Sequence, residues 1–410
     1  MYLNNYQYLK KNETFILFSL ILFSALVRIP VILMFGDSSL ENEWGVLANN
    51  LINHGTLALL NFDGFLLPNL WMPPLYAYYI YLFSFFNLEG HELILLILSS
   101  QILLASVSVA IFYKINKIFF SQKISLFSSL IFSFFPLHIY ACAQISSISL
   151  NIFLAIVFYY YFFQISKKRD FLSIVFFAFT AGLLILTRRE FLAIFILSNL
   201  YLFIFFKIPI KKILVIVLIS LITTSPYLIR NYLIFEKITI QAGFGYNVWK
   251  ANNPNSKVEG YTEIDQTLQK KFDQIPKDKF YRIKEDKIFL EQAIKYIIED
   301  PQRYLVLYIK KIASFIFVDI NSSEPNYYNP LHYIPIIILG ITSIVGIILY
   351  NKKSHQLNYL LLIFVFYIIL FSAFAILPRY KLSIIPMQII FTSVLIDYIY
   401  RRFFSYEQKK

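Results

Sequence analysis

The sequence predicts an all-α polytopic membrane protein, and three observations carry that prediction. Of the 410 residues 58% are hydrophobic, 19% aromatic and only 15% charged, whereas soluble chains run at roughly 45–50% apolar and about 25% charged. Apolar runs near twenty residues long recur along the chain, the length a helix needs to cross a bilayer. Most of these runs end at Lys or Arg, the punctuation that orients spans. Such hydrophobicity excludes a disordered chain, and the single Cys142 excludes a disulfide scaffold. The net charge of +13 is spread between apolar runs and forms no basic polar domain, so no nucleic-acid partner is expected.

Taken in order, about ten transmembrane helices are expected, near 14–35, 91–113, 124–142, 147–166, 171–187, 190–207, 213–229, 334–350, 357–376 and 381–400. Lys10 and Lys11 before the run Phe15 to Phe35 resemble the start of a signal peptide. The run is too long for one and no small-residue cleavage site follows, so it reads as a retained first span. If every listed span crosses once, the clusters Lys10/Lys11, Lys114/Lys117/Lys123, Lys167/Lys168/Arg169, Lys207/Lys211/Lys212, Lys352/Lys353 and Arg401/Arg402/Lys409/Lys410 share one side. That side is the cytoplasm, with both termini.

The same rule treats two further segments. Crossing at 73–88 would put Lys114 to Lys123 outside, and crossing at 303–320 would reverse everything after it. Both read as helices in the outer interface; the alternative is that both span and the assignments between them shift. The chain then divides into a transmembrane region at 1–229 with a first outer loop at about 36–90, an outer loop and helical region at 230–333, and a transmembrane region at 334–410.

Candidate chemistry lies on the outer side. The first loop begins GDSSLENEWGVLANNLINHG, where Leu40, Trp44, Leu47, Ala48 and Leu51 recur at helical spacing, so about 41–54 reads as an amphipathic helix on the membrane. Asp37, Glu41 and Glu43 stand at its start beside Arg28. They are either acids complementing a helix dipole or a carboxylate base at the water–lipid boundary, where desolvation raises a pKa toward a useful value. In WMPPLYAYY, 71–79, Pro73 and Pro74 can start a helix, and Tyr76 is a candidate substrate contact within what is also an ordinary aromatic belt.

Arg188 and Arg189 of TRRE run against the positive-inside bias and need an acid, a headgroup or a substrate phosphate as partner. In 225–254, Arg230 ends a span where a guanidinium can bind phosphate. Gly243 and Gly245 permit tight turns, Asn247, Asn252 and Asn253 offer polar groups, and Trp249 offers a flat face for a sugar. Arg379 and Lys381 stand at the outer end of the last span. Each cation alone reads as a snorkelling anchor, and together they suit one phosphate-bearing lipid. Walker, CxxC, HExxH and GxSxG motifs are absent from the sequence. No cofactor is required; a carboxylate-bound divalent metal is compatible with the acids present.

These residues carry a resemblance. ENEWGVLANNL with MPPLY, then TRRE, SPYLIRNYLIF with GYNVWKANNP, and PRYKL together resemble the bacterial integral-membrane glycosyltransferases of the GT-C fold. More narrowly they are similar to the dolichyl-phosphate-mannose-protein mannosyltransferase and aminoarabinose-transferase group. The resemblance implies transfer of a sugar, generally with inversion, from a polyprenyl-phosphate-linked donor. The acceptor would be an envelope glycan, lipid or protein on the outer face of the bacterial cytoplasmic (inner) membrane. It implies a first-loop base at Glu41 or Glu43, with Asp37 behind them. It also implies phosphate contacts at Arg230 and Arg379, and at Arg188 or Arg189. One departure is plain: where the family often has an acid after the proline-ended third span, this chain has Ser146, Ser147 and Ser149. Two other classes fit the spans, a lipid or oligosaccharide transporter and a non-catalytic envelope-assembly protein. A transporter should show mid-membrane acids or broken helices in related halves, and no internal repeat is visible.

Overall fold

The computed structural model describes residues 2–62, 64–319, 321–322, 329–351 and 353–404, with side chains described from Glu13 onward. The side chains of Lys10 and Lys11, and residues Lys352, Lys409 and Lys410, lie outside the described residues. The protein is a multi-pass membrane protein built almost wholly of helices. Among the described residues six helices are long and apolar enough to cross a membrane: Tyr2–Phe35 (from Glu13), Gly90–Asn116, Ile148–Lys168, Ile210–Phe235, Pro330–Leu349 and His355–Ser372. A seventh span forms if Gln122–Phe134 and Pro136–Cys142, bent by 53°, are taken as one. Phe171–Thr187 and Phe191–Ile204 are apolar but shorter, and Ile385–Phe404 closes the set. Each of the ten expected segments thus coincides with a helix or the bent pair. By length and composition six or seven, not ten, qualify as spans.

The break in the third span follows from Pro136, which has no N–H to donate and pushes Phe135 into an extended conformation (ψ 115°). The carbonyls freed at such a break need donors inside the bilayer. Arg28 of the first span supplies one. It is 1% exposed, and its Nη1 donates to Ser133 O at 3.2 Å as well as to Ser24 Oγ at 2.6 Å. The sequence placed Arg28 beside the first-loop acids; it is instead turned into the bundle, where a cation at a helix C-terminus also meets the negative end of the dipole.

The two doubtful segments fold as short helices, Leu75–Ser84 and Pro301–Ile316. At ~1.5 Å per residue the first is about 15 Å long and the second about 24 Å, both short of the ~30 Å hydrocarbon core. Pro301–Ile316 is amphipathic: Leu305, Val306 and Ile309 are exposed, while Tyr304, Leu307 and Phe315 are buried. Lys311 sits on the buried face.

Over the spans lies a small outer layer. The charged stretch near 263–299 forms two helices, Gln266–Asp273 and Tyr281–Glu299, which with Phe244–Asn252 share a core of Trp249, Phe272 and Phe289. An antiparallel hairpin, Ala58–Phe62 with Phe65–Pro68, adds Leu67 to that core. Strand pairing was not anticipated from the sequence. Two glycines set the layer's geometry. Gly243, at φ 91°, opens Phe244–Asn252, and a Cβ there would meet the Trp71 ring at 3.6 Å. Gly245, expected to make a turn, makes a close helix contact instead: a Cβ there would lie 2.0 Å from Asp286 O.

Candidate active site

The first loop leaves the bundle at Gly36 and is fastened at once to the turn after the bent span. Asp37 N–H donates to Ala143 O at 2.9 Å, and Asp37 Oδ2 accepts the Ile145 N–H at 2.6 Å. Asn42 caps helix Glu43–His54 through Oδ1 and reaches Ile145 O with its Nδ2 at 3.0 Å. From the other side Gln101 Nε2 donates to Cys142 O at 3.1 Å and Gln144 O at 3.0 Å, while its Oε1 accepts the Tyr76 hydroxyl at 2.8 Å. Tyr76 is fully buried, stacked on Tyr79 and edge-on to Trp44. Burial, then Tyr79 and Asp37, push its hydroxyl well above the ordinary range. Tyr76 is therefore a strut beneath the loop and has no surface to offer a substrate, contrary to the sequence expectation.

Glu41 and Glu43 are exposed, and among the described residues neither carboxylate has a hydrogen bond or ion pair. Glu43 begins the capped helix, and its charge reaches the Tyr246 hydroxyl. Burial raises that hydroxyl, and Glu43, Tyr380 and Glu285 raise it further while Arg282 opposes them. Tyr246 is held by its own N–H, which donates to Asp286 Oδ1 at 2.9 Å.

Tyr380 is the second centre. Burial pushes its hydroxyl up, but Arg379, Lys250 and Arg188 outweigh burial and leave it below the ordinary value. Arg379 Nη2 donates to the Tyr380 hydroxyl at 3.5 Å, and the Arg188 guanidinium lies 5.5 Å from the ring centroid. Arg188 also pairs with Glu190 at 3.4 Å. Helix Pro378–Lys381, the turn after Phe171–Thr187 and helix Phe244–Asn252 thus bring three cations to one tyrosine. Such a cluster is chemically suited to an anionic oxygen.

The remaining expected residues are placed elsewhere. Arg189 Nη1 donates to Gln241 O at 3.1 Å, and its guanidinium lies over Phe244. Arg230 Nη1 donates to Asn69 O at 2.8 Å and Asn231 Oδ1 at 2.7 Å, between Tyr227 and Phe235. Lys381 is buried and donates to Phe317 O. These three cations spend N–H groups on carbonyls, so the expected phosphate set divides.

Trp249 is 2% exposed, its ring 4.8 Å from that of Phe289; core packing takes the face expected to stack on a sugar. Asn252 accepts from Lys311 and donates to Ala373 O at 3.2 Å. Asn253 donates to Tyr261 O at 3.0 Å and accepts from Asn255 N–H. Both are buried and shape the backbone. Asn247 closes a turn on Gly243 O at 2.6 Å.

Among the described residues no group of three His, Cys, Asp or Glu side chains is placed to hold a metal ion. Where a second acid would stand, Ser146 presents a buried hydroxyl without a partner among the described residues. The described acids of the first loop, Asp37, Glu41 and Glu43, are not gathered into a divalent-cation site.

Lys250, Tyr246 and Tyr380 were not singled out from the sequence. All three lie inside motifs that were, GYNVWKANNP and PRYKL. Their significance is a matter of helical phase and of which chain segments meet, which linear spacing does not reveal.

Comparison with known proteins agrees with this architecture. Residues 72–229 match the family described as dolichyl-phosphate-mannose-protein mannosyltransferase. None of the curated proteins matches the chain in sequence. The fold is similar to that of the oligosaccharyltransferase of Archaeoglobus fulgidus. In the apo form the two share 10% identity and a TM-score of 0.55, over 96% of this chain and 51% of that one. For the complex of the archaeal oligosaccharyltransferase with an inhibitory peptide and a dolichol-phosphate, identity is 11%, TM-score 0.55 and coverage the same. With a tethered acceptor peptide the TM-score is 0.57 at 10% identity. The chain spans about half the length of these structures. The chain shares the fold of these oligosaccharyltransferase structures, and the proteins it resembles are described as a mannosyltransferase and an oligosaccharyltransferase.

Proposed function

We propose that this protein transfers a sugar from a polyprenyl-phosphate-linked donor to an envelope glycan, lipid or protein at the outer face of the bacterial cytoplasmic membrane. The observation that carries the reading is the meeting of Arg188, Lys250 and Arg379 at Tyr380, one tyrosine away from the unpaired Glu43. Cations on the side opposite the basic punctuation fit a lipid phosphate, and the solved oligosaccharyltransferase of the same fold holds a dolichol-phosphate. Both termini then lie in the cytoplasm.

In this mechanism Glu43 takes the proton of an acceptor hydroxyl or amine as that atom attacks the anomeric carbon. The bond from that carbon to the phosphate oxygen breaks, and the electron pair leaves with the lipid phosphate. Displacement from the opposite side inverts the anomeric centre. Arg188, Lys250 and Arg379 hold the charge that develops on the phosphate, the kind of preorganised stabilisation that lowers such barriers most. Membrane lipids fill the surround and no nucleotide is needed, because the donor arrives already activated.

The test is sugar transfer by the purified full chain in nanodiscs with a synthetic polyprenyl-phosphate sugar. Glu43→Gln is expected to cut turnover by about 10²–10⁴-fold, the usual share of a general base, while Glu41→Gln stays near wild type. Full activity in Glu43→Gln would remove the proposed base, and no transfer by the wild-type chain with any polyprenyl donor would remove the function.

A further inference from the structure

A cavity of about 950 Å³ lies between helix Pro301–Ile316 and the 256–258 segment. Lys250 of the neighbouring helix faces Tyr380, whereas Lys257, a few residues on, borders this cavity. The cavity is thus distinct from the cation cluster, although Lys381 touches its far wall at Phe317 O.

Its chemistry is divided in two. Lys257, Arg303 and Lys310 border it. Lys257 and Lys310 are exposed, and among the described residues neither side chain has a hydrogen bond or ion pair. Arg303 commits Nη2 to Pro254 O. Two acids border it as well: Asp300 Oδ1 accepts the Arg303 N–H at 3.1 Å, and Asp319 Oδ1 accepts the Asn321 N–H at 3.1 Å and acts on Lys381. Three cations against two acids leave the net charge at the cavity positive.

The inner wall is apolar, with Val258, Val306, Leu307 and Phe317. Ser314, 4% exposed, also lines it with a buried Oγ that has no partner among the described residues, a cost normally met by a ligand or water. Beside the cavity Leu305 and Ile309 are 61% and 57% exposed on the same helix, continuing the apolar path toward the bilayer surface.

We propose that this cavity binds an anionic lipid, its phosphate against Lys257, Lys310 and Arg303 and its first chain carbons against Val306 and Phe317. A soluble anion would leave the apolar wall unused, and a neutral lipid would leave the excess of cations and the two exposed lysines unused. The volume suits a headgroup with the start of a chain, since ligand sites run to roughly 300–1,000 Å³. The site is independent of the transfer chemistry.

The test is native mass spectrometry of the full chain released from phosphatidylcholine bicelles carrying a fixed fraction of phosphatidic acid. The wild-type chain is expected to retain one phosphatidic acid in preference to phosphatidylcholine. Lys257→Gln with Lys310→Gln should lower that preference about tenfold, in line with the loss of two cations near an anionic headgroup. Ala313→Trp, which fills the cavity without touching its charge, should lower it as well. Retention unchanged in both variants overturns the site. Loss in the charge variant alone overturns the cavity in favour of surface adsorption. Displacement of the lipid by excess inorganic phosphate shows a bare-anion site and equally overturns the lipid assignment.

Discussion

Asp37 Oδ2 accepts the backbone N–H of Ile145 at 2.6 Å, and Asn42 Nδ2 donates to the carbonyl of the same residue at 3.0 Å. Both polar groups of one peptide segment are thereby held by the first loop, which fixes helix Glu43–His54 and its first residue, Glu43, to the end of the bent span. In this arrangement Asp37 acts as a latch, and Glu43 is the base of the proposed mechanism.

A latch and a base respond differently to substitution. Asp37→Asn keeps an oxygen for the Ile145 N–H and should retain most thermal stability. Asp37→Ala leaves that N–H unmet and should lose about 1–3 kcal/mol. Transfer activity is expected to follow stability across the two variants. An Asp37→Asn protein that melts like wild type yet transfers no sugar would make the Asp37 carboxylate the reacting group.

The cluster at Tyr380 makes a kinetic prediction. Arg379→Gln and Arg188→Gln should each lower kcat/KM by about 10²–10³-fold, the range for losing one preorganised donor to developing charge. The double variant should lose less than the product, because the two guanidinium groups share one partner. Arg230→Gln should act mainly on stability, since its Nη1 holds Asn69 O. Steady-state rates beside melting curves separate the two effects.

Gly245→Ala tests the outer layer. A methyl group at this position would lie 2.0 Å from Asp286 O and 2.8 Å from Leu290 N, both backbone atoms that cannot swing aside. Helix Phe244–Asn252 must move away from Tyr281–Glu299, at a cost of about 1–3 kcal/mol. Because that helix carries Tyr246 and Lys250, a lower melting temperature should come with weaker donor binding. A variant with wild-type stability and KM would contradict the packing.

Lys311 gives the fold a pH dependence. Burial alone pushes its amine down from 10.5 to about 7, and Nζ donates to Ala251 O at 2.8 Å and Asn252 Oδ1 at 3.3 Å. Below pH 7 the amine is charged in both folded and unfolded chains, and the folded one carries the full burial cost. Between about 7 and 10.5 the unfolded chain binds more protons, so stability rises with pH. Melting temperatures in detergent should climb across that window, and Lys311→Met should flatten the climb. An unchanged slope would mean that the amine keeps its charge when buried.

Much of the architecture was legible because it follows from composition and period. Every expected span coincides with a helix, since long apolar runs in a bilayer have few alternatives to intrasegment hydrogen bonding. The first-loop helix begins at Glu43, within two residues of its expected start, because the spacing of Trp44, Leu47 and Leu51 is a local signal. The hairpin at 58–68 was missed, since its strands are short and gain their stability from Leu67 packing on the outer core. The site was legible only as a set of motifs. Trp249 and Arg230 had the right chemistry for a substrate, but Phe289 and the Asn69 carbonyl claim them first.

By itself the sequence determined that this chain lies in a membrane and where its helices run. Those properties come from hydropathy and charge, which act along the chain. Only the tertiary structure decided that Lys250 joins Arg188 and Arg379 at Tyr380, that Arg28 closes a broken span and that Asp37 holds Ile145. These outcomes depend on which buried carbonyls and charges find a partner, and the partners lie on segments far apart in sequence that folding alone brings together.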